Sequence, residues 1–154
     1  MMTAGGRKQV FALFHRDRRG TAAVEFALVA PVLFLLILGI TQFGVTLNNY
    51  EMLTGATEAA ARQFSMSRGT ATPSSSTTTT LNNAASNLTP ASITVTMKVN
   101  GVACSGDSAC QTALTNGQGQ PATVTTSYPC NLTVYGYNFA PGCTLTAQST
   151  ESVE

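Results

Sequence analysis

Charge is the scarcest ingredient of this sequence, with Asp, Glu, Lys and Arg making up 10% of its 154 residues, well under the quarter usual in soluble domains. Histidine is nearly absent: His15 stands alone near the N-terminus, so no Ser-His-Asp or Cys-His arrangement can be completed elsewhere. The cysteines lack the C-x2-C spacing and nearby histidine of a zinc site, and no Gly-rich phosphate loop is present. These absences leave no catalytic residue, no metal ligand and no cofactor to assign. Length adds a further exclusion, because a membrane span would leave roughly 100 residues for everything else, too few for a large enzyme core.

What the sequence does have is a concentrated apolar run. From Phe26 to Val45 no residue is charged. About 20 residues at 1.5 Å rise give roughly 30 Å of helix, the thickness of a bilayer core. The formal net charge of +1 conceals an asymmetry. Arg7, Lys8, Arg16, Arg18 and Arg19 precede the run against Asp17 alone, whereas Glu51, Glu58, Asp107, Glu151 and Glu154 outnumber Arg62, Arg68 and Lys98 after it. The positive-inside rule then keeps the N-terminus cytoplasmic and exports the remainder. The basic leader is explained by this topology and by attraction to membrane phosphates, so it does not call for a nucleic-acid partner.

Cys104, Cys110, Cys130 and Cys143 all fall on the exported side, where an oxidising compartment lets disulfides persist. Four cysteines permit three pairings; the short spacing of Cys104 and Cys110 favours a small loop closed on itself, leaving Cys130 with Cys143.

Pattern along the chain divides it further. Residues 1–20 read as a basic cytoplasmic leader and 21–47 as a transmembrane helix. An amphipathic helical stem is expected over 48–68, because Leu47, Tyr50, Leu53, Thr57, Ala60, Ala61 and Phe64 recur at helical spacing while Asn48, Glu51, Glu58 and Arg62 lie on the other side. Glu58 and Arg62 are placed for an i, i+4 ion pair, and Gly69 for a C-terminal stop. The Ser/Thr-rich segment 69–80, with Pro73, reads as a linker, followed by an extracytoplasmic β-rich head over 81–154. Within the head, a short helix is expected over Leu81 to Leu88. Ile93, Val95, Met97 and Val99 alternate with Thr94, Thr96 and Lys98 as in a half-buried strand. Asn100-Gly101 signals a turn. A short helix ending near Leu114 follows the first cysteine pair, then a Gly/Gln-rich loop over 116–120. Two more strands are expected at 122–128 and 144–152. Asn87 and Asn131 each open an Asn-Leu-Thr triplet, a pattern common by chance. The fold class is α+β, a long N-terminal helix with a small C-terminal sheet of three or four antiparallel strands packed on the stem.

The most informative stretch runs from Arg18 to Pro31: basic residues, Gly20, the small residues Thr21 to Ala23, then Val24-Glu25-Phe26-Ala27-Leu28 and Pro31. A carboxylate at membrane depth costs about 2.5–3.5 kcal/mol at a helix centre on translocon scales and less near the interface, so Glu25 calls for a cation. Together with Ala59-Ala60-Ala61-Arg62 on the stem, these residues resemble the TadE-like family, the minor pseudopilins of tight-adherence (Flp) type IV pilus systems. The resemblance covers about residues 18–68.

The resemblance implies a pilin-like, non-enzymatic protein of the bacterial inner membrane, cut by a prepilin peptidase after Gly20 so that Thr21 becomes the N-terminus. Glycine suits such a cut, since it lets an extended backbone enter a protease cleft. A liberated α-amino group, with a reference pKa of about 8, would be largely cationic and could pair with Glu25 of a neighbouring subunit as helices bundle. Pro31 would kink or loosen the helix, and Gly39 and Gly44 would permit close helix approach. The implied partners are the prepilin peptidase, other pseudopilins, pilus-assembly platform proteins and inner-membrane lipid, with no small-molecule substrate. Two competing readings differ in class. One is an unprocessed signal-anchored binding or scaffold module in which Glu25 snorkels to the interface. The other is a secreted hydrolase, disfavoured because no small-residue cleavage signal follows the apolar run.

Overall fold

The computed structural model describes residues 19–130, 132–134 and 136–154. The leader, apart from Arg19 and Gly20, therefore lies outside the described residues, as does Asn131. The chain divides into two units, Met1–Thr41 and Gln42–Glu154, and helix α1, Arg19–Ser65, contributes to both. In the first unit α1 carries many exposed apolar side chains, among them Phe26, Leu28, Phe34, Leu36 and Ile40. It is one helix long and apolar enough to cross a membrane, with none of its most apolar stretch buried within the protein, consistent with a single-pass membrane protein. Thr41 turns its hydroxyl back to the Ile37 carbonyl at 2.8 Å, which satisfies a polar group that lipid cannot. Pro31 sits inside the helix.

The second unit is built around an antiparallel sheet in the order β2-β1-β3-β6. Its strands are β1 (Thr94–Val99), β2 (Val102–Cys104), β3 (Pro121–Pro129) and β6 (Thr144–Ser152), with a separate two-stranded hairpin of β4 (Thr133–Val134) and β5 (Tyr137–Asn138). Alternation fixes which face is packed: Met97 and Val99, Ala122, Val124 and Thr126, and Ala147 are buried, while Thr94, Thr96, Lys98 and Gln148 point to solvent. The β1–β2 connection is a two-residue hairpin in which Val99 pairs with Val102 and both Asn100 and Gly101 have positive φ, at 49° and 79°. That is the primed turn whose twist suits a hairpin, and it is why Asn-Gly stands there.

Against the packed face lie Leu53, Ala56, Thr57, Ala60, Ala61 and Phe64 of α1, with Leu81 of α2 (Pro73–Ala84) and Cys110 and Leu114 of α3 (Asp107–Asn116) in the same core. The alanines let α1 approach the sheet closely, so Phe64 and Leu53 supply most of the helix's buried volume. One polar link crosses this core: Thr57 and Thr126 hydroxyls are 2.6 Å apart and buried. Thr57 gives its hydrogen to the Leu53 carbonyl at 2.6 Å, so Thr126 is the donor to Thr57.

Several expectations need correction. The Ser/Thr-rich segment is helical, since α2 begins at Pro73 and ends at Ala84, leaving a short connection in place of the linker over 69–80 and absorbing the start of the helix expected over Leu81 to Leu88. Proline at the first helical position has no amide to waste, and Pro73, Thr77 and Leu81 are buried along one side. Thr77, Thr78 and Thr79 hydroxyls each bond the carbonyl four residues back, at 2.7, 2.9 and 2.8 Å. The decisive contact comes from α3: Asp107 accepts the Ser75 amide at 2.8 Å and the Ser75 hydroxyl at 2.6 Å. The carboxylate thus satisfies an orphan amide in the first turn of α2, where the helix dipole also favours negative charge.

The stem stops earlier than 68, at Ser65, in a turn that contains Gly69 at φ 79°. Leu47 and Tyr50 are 60% and 42% exposed, because the packed stretch of α1 begins only near Leu53. Arg62 does not pair with Glu58; its Nε lies 3.7 Å from Glu151 Oε1 on β6, an exposed pair of small energetic weight.

The Ser75 bonds, side chain first and then backbone, hold the Asp107 carboxyl below its usual value. A carboxylate whose folded pKa is depressed contributes stability that is complete above its unfolded value, about 3.9, and is lost as pH falls through the folded value. Asp107→Asn is accordingly expected to flatten the melting-temperature curve below about pH 4. Unchanged acid sensitivity in that variant would assign the loss to other carboxylates.

Candidate functional site

Gly20 and Thr21 lie in α1 beside Arg19, where the described residues begin. A Cβ added at Gly20 meets nothing within 4 Å, so the glycine is not there to relieve crowding. Glu25 follows one turn after Thr21, on an exposed part of the helix amid Val24, Phe26, Leu28 and Val29. Among the described residues no Lys or Arg lies within ion-pairing distance of it; the pair between Arg62 and Glu151 is the one present. The geometry therefore leaves a carboxylate on an apolar helix with its lone pairs available to a group from outside the described chain.

Pro31 lies almost two turns further on, and Gly39 and Gly44 have open space where a Cβ would stand. Gly20, Thr21 and Glu25 are thus brought together on two successive turns, whereas Pro31 is in line with them and not in contact. Glu25, Pro31 and the glycines are spread around the helix. They do not form a concave pocket.

In the second unit the disulfides join Cys104 to Cys110 and Cys130 to Cys143, with Cα separations of 5.0 and 5.3 Å. The first ties the end of β2 to the buried face of α3; the second closes the loop that contains β4 and β5, where Tyr137 and Phe139 are 76% and 72% exposed. Among the described residues, shallow depressions open onto solvent. One, of about 260 Å³, is lined by Val99, Val102, Ala113 and Gly117 among others; another, of about 380 Å³, lies around Arg62 and Glu151. Neither is lined by a histidine or a cysteine. Among the described residues no three metal-ligating side chains converge.

Sequence reasoning missed the Ser75–Asp107 contact and the free edge of β6. The second left a signal, because residues 144–152 carry neither Lys nor Pro.

Residues 20–62 match the family described as TadE-like protein. The matched stretch begins at Gly20, takes in Glu25 and Pro31, and ends at Arg62, so it follows α1 and includes none of the sheet. The match agrees with the resemblance drawn from the Gly20-to-Pro31 residues. No curated protein and no solved structure matches the chain.

Proposed function

We propose that this chain is a non-enzymatic minor pseudopilin, inserted with its N-terminus in the cytoplasm and its sheet outside, cut after Gly20 by a prepilin peptidase and acting in assembly of a Flp-type pilus. The observation that supports this reading is the position of Glu25: one turn past the Gly20–Thr21 bond, on an apolar helix with no cation beside it among the described residues. A cut at that bond creates the missing cation at Thr21. The amine of one subunit and the carboxylate of the next then relieve one another's desolvation, which sets the register of neighbouring helices. The other partners are the pilus-assembly platform and further pseudopilins, with bilayer lipid around the apolar face.

Gly20→Ala tests processing without disturbing the fold, because the added methyl group has free space. N-terminal sequencing of chain extracted from membranes that contain the peptidase is expected to start at Thr21 for the unsubstituted protein and largely at Met1 for the variant. A natural chain that still starts at Met1 in those membranes supports the rival reading, an unprocessed signal-anchored scaffold.

A further inference from the structure

The two edges of the four-stranded sheet are treated differently. β2, on one side, has three residues and is pinned by the Cys104–Cys110 bond. β6, on the other side, has nine residues and pairs only with β3, in one unbroken register from Pro121–Ser152 to Pro129–Thr144. Long edge strands are normally blunted by Lys, Pro, a bulge or a covering element. β6 has no Lys, no Pro and no bulge, and its one charge is Glu151 near the end, turned toward Arg62.

The hydrogen bonds that flank β6 show which of its groups are free. The Cys143 carbonyl accepts from Cys130, and the Val153 amide donates to Gln120; both odd-numbered residues thus face β3. In a strand the backbone groups alternate, so Thr144, Thr146, Gln148, Thr150 and Ser152 direct their amides and carbonyls outward. Among the described residues no other backbone group reaches that edge. The same five side chains are exposed on one face.

We infer that β6 is an interaction edge whose occupant is β6 of a second copy, running antiparallel and centred on Gln148. Three observations favour a copy of the same chain. The five outward-facing residues are symmetric about Gln148, so Gln148 meets its own counterpart, Thr146 meets Thr150 and Thr144 meets Ser152. That register forms about ten backbone hydrogen bonds, two for each facing pair. It also places Glu151 opposite Leu145, keeping the two acidic side chains apart, where like charges face to face would repel. Finally, the hydroxyl and amide contacts already linking β3 to β6, Thr123–Thr150 at 2.9 Å and Thr125–Gln148 at 3.4 Å, continue across the new boundary with the same residue types. Copies held in one bilayer by α1 meet at high effective concentration, so an edge too small for a stable soluble dimer suffices. This pairing does not depend on processing at Gly20.

Cross-linking of the full chain in its native membranes tests it. Gln148→Cys, treated with a short bis-maleimide, is expected to give a dimer several-fold more abundantly than Lys98→Cys, which is exposed on the same face but two strands inward. The native cysteines are disulfide-bonded and do not react. In a mixture of Thr146→Cys and Thr150→Cys chains, the cross-link is expected to form and then to vanish when Gln148→Pro is added, because proline removes an outward amide without touching the β3 ladder. Formation of both native disulfides shows that the proline variant is folded. Equal yields at residues 98 and 148, survival of the cross-link with proline, or capture by residue 148 of a different protein in place of its own copy would each overturn the inference.

Discussion

Phe64→Ala is expected to destabilise the sheet-containing unit by about 3–5 kcal/mol, the usual cost of emptying a buried phenylalanine site. Phe64 is the largest fully buried side chain among the described residues, and its neighbours on α1 are mostly alanines, with Ala60 and Ala61 also at 0% exposure. Small residues on that face cannot swing into the space, so the cavity persists and its surface cost is added to the lost transfer energy. A domain of this size has on the order of 5–15 kcal/mol in total, which makes the loss a large share of its stability. Phe139, 72% exposed on the disulfide-closed loop, provides the contrast: Phe139→Ala removes the same atoms and is expected to change stability by no more than about 0.5 kcal/mol. Thermal melts of the detergent-solubilised chain, followed through the near-ultraviolet signal of its tyrosines, distinguish the two. Equal melting temperatures for the two variants would mean that α1 does not pack on the sheet through Phe64.

How much of this architecture could be read in advance depends on how local each signal is. The apolar run after Phe26 is a one-dimensional property of the chain and needs no tertiary information. Residues 94–99, 121–129 and 144–152 alternate because one face of the sheet is buried and the other wet, and Asn100-Gly101 carries its turn in its own backbone preferences. The segment around Ser75 is different. Ser and Thr hydroxyls compete with the backbone for hydrogen bonds, so in isolation Ser74 to Thr80 has little reason to be helical. What decides it is Asp107, 32 residues away, together with burial of Thr77 and Leu81. Arg62 teaches the same lesson, since the acid nearest in sequence is Glu58 but the fold brings Glu151. At the candidate site, Gly20, Glu25 and Pro31 were legible as a pattern of residue types. Their spacing on successive turns follows from α1 being continuous through Pro31, whereas the partner proposed for Glu25 is a group on another molecule, which one chain does not carry.

That missing partner makes Glu25→Ala the sharpest test of the assembly role. Removing the carboxylate leaves α1 more apolar and leaves the Gly20–Thr21 bond in place, so insertion and cleavage are expected to proceed and the processed chain to start at Thr21. What is lost is the group that balances the new amine. An ionised group left unpaired in apolar surroundings costs about 2.5–3.5 kcal/mol at a helix centre and less toward the interface, and every 1.4 kcal/mol is a factor of ten in an equilibrium. Pili recovered by shearing should therefore fall by about tenfold or more, with the processed variant retained in the membrane fraction. The snorkelling alternative makes the opposite forecast. If Glu25 merely reaches the headgroups, alanine relieves a small cost, membrane insertion improves and assembly is untouched. A normal pilus yield from a correctly processed Glu25→Ala chain would thus assign the carboxylate to the interface and leave the Thr21 amine without the partner that the helix register requires.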